Sequence, residues 1–160
     1  MSIAYYGSEL INIAIGIERQ GIAFYDVLAR STKSPRAREV FHYLVGMERD
    51  HVRIFQGMLA DSEKAESPET YTGDYAAYLQ ALASSAVFTD ELIAGTLATQ
   101  SESDLAAVEL AVRAEKDSIL FYYEMQELMP PGSGAKIRRI ITEEKRHLAQ
   151  LTGLKTVLAS

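Results

Sequence analysis

The chain has no cysteine among its 160 residues, and it has no cluster of lysine and arginine. Without thiols, disulfide bonds, thiolate nucleophiles, zinc ribbons and iron–sulfur clusters are all excluded. The formal net charge is −6. Because a nucleic-acid backbone is bound by a basic face, we expect no nucleic-acid partner.

Long hydrophobic runs are also absent. No stretch of about 18 apolar residues occurs, so the sequence predicts no membrane-spanning helix. The N-terminal segment lacks a basic start and Glu18 stops its apolar run, which argues against a signal peptide and favours a cytoplasmic protein. A chain of this length can bury the core of one domain, and we expect a single domain over residues 1–160.

What the sequence does contain is an internal repeat. Residues 14–25, AIGIERQGIAFY, return as residues 111–122, AVRAEKDSILFY, and a Glu-x-x-His motif follows each copy. The offset is 97 positions for the first element and 96 for the motif. Four glutamates and two histidines with these spacings form a complete ligand set for two metal ions in a helix bundle. The six candidate metal ligands are Glu18, Glu48, His51, Glu115, Glu144 and His147.

Four segments have the three-and-four spacing of apolar residues that is typical of a buried helix face. Candidate ligands interrupt each apolar stripe at mid-length. Pro35 suits the first turn of the second segment, and a proline- and glycine-rich break after Met129 separates the last two. The predicted helices are Ser8–Arg30 with Ser8 as its N-cap, Arg36–Leu59, Ser103–Met129 and Ala135–Leu158.

About 40 residues, 61–102, separate the second helix from the third. After a polar stretch over 62–73, we expect short helices around 75–83 and 89–97. A connection this long can cross the full length of a bundle, so the third helix can run parallel to the second. The sequence therefore predicts an all-α, ferritin-like four-helix bundle made of two duplicated helical hairpins, with a long crossover containing short helices.

One further match has to be separated from the repeat, because Glu39 and His42 also form Glu-x-x-His. They precede Glu48 and His51 by nine positions, which at about 100° per residue is half a turn out of phase. The two pairs cannot both face the core. Since the neighbours on the face of Glu48 and His51 are apolar, we assign Glu39 and His42 to the surface.

Charge balance supports a metal site. Four ionised carboxylates inside a packed bundle would each cost several kcal/mol if they were unpaired. Two divalent cations cancel the charge of four glutamates, and one histidine completes each coordination sphere. The alternative is that these acids face solvent and the helical phases are wrong. Six residues in register in a duplicated pattern favour the metal site.

Oxygen-rich ligation with one imidazole per ion suits two iron or manganese ions, and zinc is also possible. We interpret the site as a bridged pair of ions. In this interpretation Glu48 and Glu144 bridge the ions. Glu18 and Glu115 cap one ion each, and His51 and His147 take terminal positions.

Two tyrosines are repeated with the ligands. Tyr25 and Tyr122 follow Glu18 and Glu115 by seven positions, which is two turns along the same helix face. They could be core aromatics, but their repetition favours a hydrogen bond from each phenol to a ligand carboxylate. They could also supply an electron or a proton when an oxidant is reduced, so both are candidate catalytic residues.

With these residues in place, the chain resembles a rubrerythrin-type member of the ferritin-like superfamily over essentially its whole length. The matching elements are Glu18-x6-Tyr25, Glu48-x-x-His51, Glu115-x6-Tyr122 and Glu144-x-x-His147. The resemblance implies a carboxylate-bridged di-iron site in a homodimer or a higher homo-oligomer. It also implies an oxidoreductase of the peroxidase or ferroxidase type, which reduces hydrogen peroxide or dioxygen or oxidises ferrous iron.

The chain departs from this family in two respects. Full rubrerythrins append a cysteine-ligated rubredoxin domain that delivers electrons, so here the electrons would come from an external donor, either a separate redox protein or a small reductant. Rubrerythrins also tend to carry a further glutamate three residues after the third-helix ligand, where this chain has Ser118. The remaining six-ligand set is nearer to that of bacterioferritin, which weakens the assignment of peroxidase activity relative to ferroxidase or oxygen chemistry. Two alternatives stay open: an iron-binding and storage protein without dedicated turnover, and a di-manganese catalase-like protein.

Overall fold

A computed structural model of the chain describes residues 2–5, 7–62, 69–72, 77–78, 81–82 and 103–160. Most of these residues belong to four long helices, as predicted. The helices are α1 (Gly7–Ser31), α2 (Pro35–Ser62), α3 (Asp104–Leu128) and α4 (Gly134–Ala159), and a 3₁₀ turn (Pro131–Ser133) leads into α4. Two short strands, β1 (Ser2–Tyr5) and β2 (Glu69–Thr72), pair antiparallel.

Local sequence explains where the helices begin. α2 begins at Pro35, one residue before the predicted start, so Pro35 lies in the first turn as expected. Ser34 caps the helix, because its hydroxyl accepts a hydrogen bond from the Ala37 N–H at 3.2 Å. The prediction for α1 is wrong at its first residue. α1 begins at Gly7, so Ser8 lies inside the first turn and is not the N-cap.

Contacts between the two halves of the chain establish the direction of α1 and α3. Tyr122 in α3 contacts Glu18 in α1, whereas the later α1 residue Tyr25 contacts the earlier α3 residue Glu115. As one helix advances, its partner therefore runs back. α1 and α3 are antiparallel.

α1 is antiparallel to α2 as well. Arg38, near the start of α2, donates to the carbonyl oxygen of Ala29, near the end of α1, at 3.2 Å. Farther along α2, Nδ1 of His51 lies 3.4 Å from a carboxylate oxygen of Glu18 in the middle of α1. Since α1 runs opposite to both neighbours, α2 and α3 are parallel, as the long crossover predicted.

The apolar core has two parts, with a layer of polar side chains between them. On every helix the candidate ligands separate the residues of one part from those of the other. One part includes Ile11, Phe55, Tyr122, Met125 and Ile137, and the other includes Phe24, Tyr25, Phe41, Leu44 and Leu151. The polar layer is therefore enclosed along the bundle axis by close-packed apolar side chains.

The crossover is described only in part. β2 lies within the stretch that we expected to be merely polar, and it pairs with β1 so that Ser2 faces Thr72 and Tyr5 faces Glu69. Residues 77–78 and 81–82 are helical, consistent with the helix expected around 75–83. The helix expected around 89–97 lies outside the described residues. Within the described ranges, no helix combines the length and the hydrophobicity that crossing a bilayer requires.

Candidate metal centre

The polar layer brings together all six residues that the repeat singled out. Every helix contributes to it, α1 and α3 with one glutamate each and α2 and α4 with a Glu-x-x-His pair. Each residue is between 0 and 3% exposed: Glu18, Glu48, His51, Glu115, Glu144 and His147. Burial of four acidic side chains at one level of a bundle requires compensating positive charge.

The possible ligand atoms of these residues form two overlapping groups. Within each group, one nitrogen or oxygen atom from each residue lies within 4.8 Å of the others. The groups are Glu18, Glu48, His51 and Glu144, and Glu48, Glu115, Glu144 and His147. Glu48 and Glu144 belong to both groups, which is the arrangement that two bridging carboxylates would require.

Both histidines turn the same ring nitrogen towards the carboxylates. Nδ1 of His51 lies 3.0 Å from Glu144 and 3.2 Å from Glu48. Nδ1 of His147 lies 2.9 Å from Glu144 and 3.5 Å from Glu48. The two rings stack with their centroids 5.6 Å apart. In both halves Nδ1 is thus the nitrogen available to an ion, and Nε2 points away from the cluster.

The two repeated tyrosines contact the cluster by hydrogen bonds that cross between the halves of the chain. The hydroxyl of Tyr25 donates to Glu115, and the hydroxyl of Tyr122 donates to Glu18. The predicted hydrogen bond from each phenol to a glutamate of the cluster is therefore present. Burial, followed by the charge of nearby carboxylates, raises the pKa of both phenols well above its ordinary value, so both stay protonated as donors.

Without a cation, two of the four carboxyl groups are shifted towards their protonated form. Burial, followed by the negative charges of Glu48 and Glu144, raises the pKa of Glu18 well above its ordinary value. Burial and the same two charges raise the pKa of Glu115. The protonated carboxyl groups then donate hydrogen bonds to their ionised neighbours.

The other two carboxyl groups and the histidines carry opposite charges. Burial acts to raise the pKa of Glu48 and Glu144, but hydrogen bonds from both histidines and from a neighbouring glutamic acid outweigh it and lower both values. Burial acts to lower the pKa of His147, yet hydrogen bonds to Glu144 and Glu48 raise it to about 9, and the pKa of His51 is raised likewise. These directions favour two ionised glutamates beside two imidazolium groups, whose charges balance.

The same donor set fits two divalent cations. Four carboxylates and two neutral imidazoles around two doubly charged ions are neutral again, with metal charge in place of the bound protons. Carboxylate oxygen and imidazole nitrogen are the donors that iron and manganese accept in such sites. The six residues therefore form a candidate metal centre.

Sequence reasoning missed one residue of this centre, Glu143. One of its carboxylate oxygens lies 2.9 Å from Nε2 of His51, and the other accepts a hydrogen bond from Nε of Arg139 at 3.1 Å. Glu143 is only 9% exposed. Burial acts to raise its pKa, but the hydrogen bonds from Arg139 and His51 outweigh it and lower the pKa, so the carboxylate is ionised.

The remaining candidates lie where the sequence placed them. Glu39 and His42 are exposed, which confirms the assignment from helical phase. Ser118 is 4% exposed, on the buried face of α3 close to Glu115. It stands at the position where rubrerythrins tend to have their further glutamate.

Known proteins share this arrangement of helices. The rubrerythrin family model matches residues 9–155. A candidate ferritin-like diiron-carboxylate protein from Thermotoga maritima has a similar structure, with a TM-score of 0.75, 26% sequence identity and 96% of each chain covered. A hypothetical protein from Pyrococcus furiosus shares the fold, with a TM-score of 0.68, 16% identity and 97% of this chain and 91% of that chain covered. No curated protein sequence matches the chain significantly.

Proposed function

The chain belongs to the rubrerythrin family, and from that membership we propose that it is a di-iron oxidoreductase, acting on hydrogen peroxide, dioxygen or ferrous iron. The observation that carries the proposal is the pair of overlapping groups of buried ligands that share Glu48 and Glu144. Each group offers three carboxylates and one imidazole, and this oxygen-rich set suits iron.

The proposed ligand roles follow from membership in the two groups. Glu48 and Glu144 would serve both ions, since each belongs to both groups of possible ligands. Glu18 and His51 would complete one position, and Glu115 and His147 would complete the other. Both histidines bind through Nδ1, because this nitrogen faces the carboxylates.

A bound di-iron pair would supply electrons and Lewis acidity to an oxidant. The protein contributes enclosure and proton donors. Apolar side chains pack above and below the polar layer and exclude bulk water from it. Tyr25 and Tyr122 are buried phenols in direct contact with proposed ligands, so they are suited to orient Glu115 and Glu18 and to hold a proton beside the reacting centre.

The proposal includes an external electron donor. The chain has no cysteine and hence no cysteine-ligated centre of its own to relay electrons. A separate redox protein or a small reductant would return the site to the ferrous state. From the resemblance to the rubrerythrin family we also propose that the chain forms a homodimer or a higher homo-oligomer.

Anaerobic titration with ferrous iron, followed by rapid mixing with hydrogen peroxide or dioxygen, tests the proposal. We expect two ions to bind per chain and to be oxidised in one fast stoichiometric phase. Binding of fewer than two ions, or oxidation no faster than that of free ferrous ion, would overturn it. The Glu39→Gln variant is the matched control, because this exposed acid should leave stoichiometry and rate unchanged.

Two further measurements separate the alternatives. Anomalous scattering at the iron and manganese edges identifies the metal that the purified protein carries, and manganese would favour the catalase-like alternative. Size-exclusion chromatography distinguishes a dimer from a large closed assembly. A closed assembly that retains many more than two iron ions per chain would favour storage.

A further inference from the structure

The two halves of the repeat have the same candidate ligands, but they differ around Nε2 of each histidine, the nitrogen that points away from the cluster. With the offset of 96 that relates the two Glu-x-x-His motifs, Glu143 corresponds to Met47 and Arg139 corresponds to Tyr43. One half therefore has a carboxylate and a guanidinium where the other half has a thioether and a phenol ring.

On the His51 side this difference produces a continuous polar chain. Arg139 donates to one oxygen of Glu143 at 3.1 Å, and the other oxygen of Glu143 accepts from Nε2 of His51 at 2.9 Å. Nδ1 of the same ring faces the carboxylates of the cluster. The chain thus runs from the bundle surface, where Arg139 is exposed, to a proposed metal ligand.

On the His147 side the corresponding chain is missing. Nε2 of His147 is buried and has no hydrogen-bond partner among the residues that the structure describes. The rings of Tyr43 and His147 are perpendicular, with centroids 6.4 Å apart at 89°.

A carboxylate that accepts the outer N–H of a histidine fixes the tautomer of the ring and raises the basicity of the other nitrogen. Removal of such a partner typically weakens metal binding by about 10- to 100-fold. Here only one of two otherwise matched histidines has that partner. The tyrosine contacts are matched, since each half supplies one tyrosine to a glutamate of the other half.

We infer that the two ion positions are unequal, and that Glu143 is the positioning residue that makes the position of His51 bind a divalent ion more tightly than the position of His147. This inference rests on the proposed two-ion site. At limiting metal the protein would hold one ion beside His51, and the ion beside His147 would be the one that exchanges with solution.

Stepwise binding of Mn²⁺, followed by calorimetry and by electron paramagnetic resonance, tests the inference without any turnover. We expect two binding steps whose dissociation constants differ by about 10-fold or more. The His51→Ala variant should lose the tight step and the His147→Ala variant the weak one, which assigns each step to its position.

Two substitutions at the corresponding positions then exchange the local chemistry. Glu143→Gln keeps the shape but removes the charge, and Glu143→Met copies the other half; both should weaken the tight step and leave the weak step unchanged. Met47→Glu supplies the missing acceptor and should strengthen the weak step. Glu39→Gln, an exposed acid on α2, is the control that should change neither step.

The outcomes separate this inference from the proposed function. If wild-type protein binds two ions with indistinguishable affinities, or if Glu143→Gln weakens both steps equally, the inference is wrong and the two-ion site stands. If the wild type binds no ion pair, the proposed function fails first. Urea unfolding of the metal-free variants accompanies each titration, because a purely structural role of Glu143 would lower stability without selecting one step.

Discussion

The hydroxyl of Tyr25 in α1 donates a hydrogen bond to Glu115 in α3, a residue 90 positions away in the sequence. Tyr122 and Glu18 repeat this relationship in the opposite direction. Each tyrosine therefore donates to the glutamate of the other half. In the sequence, however, it follows the glutamate of its own half by seven positions. Glu18 and Glu115 belong to different ligand groups, so the two tyrosines support different proposed ions.

This crossing predicts which ion each tyrosine affects. Tyr122→Phe should weaken the ion position that contains Glu18, and Tyr25→Phe the position that contains Glu115, each by about 10- to 100-fold, because a buried hydrogen bond to a charged group contributes about 1.5–3 kcal/mol. Stepwise titration with a divalent ion measures both effects. Tyr123→Phe, at a phenol that is 42% exposed, should change neither. If both buried variants weakened the same step, the crossing would have no functional meaning.

The shared carboxylates should be the most sensitive positions. Glu48→Ala or Glu144→Ala is expected to abolish binding of at least one ion, because each belongs to both ligand groups. Glu39→Ala should leave the metal content unchanged, since this side chain is exposed on the opposite face of α2. Metal content per chain, measured by elemental analysis after dialysis, decides. Equal losses in both classes of variant would contradict the helical phases.

Metal binding should release protons in a number that the pKa shifts determine. The raised pKa values of Glu18, Glu115, His51 and His147 favour one displaceable proton on each of these groups in the cation-free cluster. Two divalent ions should therefore release about four protons per chain. Calorimetry in buffers of different ionisation enthalpy measures this number. Release of about two protons or fewer would mean that the histidines are neutral in the metal-free protein.

The metal-free protein should lose stability in alkali. The folded-state pKa of His147 is raised from 6.5 to about 9, so its contribution is fully present below pH 6.5 and is lost as the pH rises through about 9. At 1.36 kcal/mol per unit this contribution is ~3 kcal/mol, and the raised pKa values of Glu18 and Glu115 act in the same direction.

Urea unfolding at several pH values between 6 and 10 checks this dependence. The free energy of unfolding should fall with pH in metal-free protein and should fall less in protein loaded with a divalent ion, because bound metal replaces the lost protons. His147→Gln should remove its share of the slope. A flat profile in the metal-free wild type would show that the raised pKa values are not those of the folded protein.

Ser118 offers a way to test the difference between this chain and other rubrerythrins. It is 4% exposed on the buried face of α3, so Ser118→Glu would place a seventh carboxylate near the cluster. We expect the variant to be less stable without metal, because another buried acid is uncompensated, and to react faster with peroxide relative to dioxygen. Ser118→Ala is the control. An unchanged ratio of the two rates would show that this position does not select the oxidant.

The periodicity of the sequence was sufficient to predict the four helices and the burial of the six candidate ligands. The reason is physical: a ligand on the apolar stripe of a long helix has its direction fixed by the 100° rotation per residue. The same rule removed Glu39 and His42 from the site. Both were exposed in the structure.

Glu143 escaped this reasoning because it is one residue, about 100°, away from Glu144 on the helix. With Arg139 four positions before it, it has the spacing of an ordinary surface ion pair. Only the position of His51 on the neighbouring helix makes it part of the centre. The strand pairing of Ser2–Tyr5 with Glu69–Thr72 was missed for a related reason, since long-range pairing of two four-residue strands leaves no periodic signal.

The division of ligands between the hairpins has a consequence for how the protein folds. Each ligand group takes three residues from one hairpin and the fourth from the other, so neither hairpin alone presents a complete group. An ion can bind firmly only after segments that are far apart in the chain have docked, which is a late event because long loops must close first. We therefore expect metal to slow unfolding while leaving the folding rate almost unchanged. It would stabilise the assembled bundle without directing its assembly.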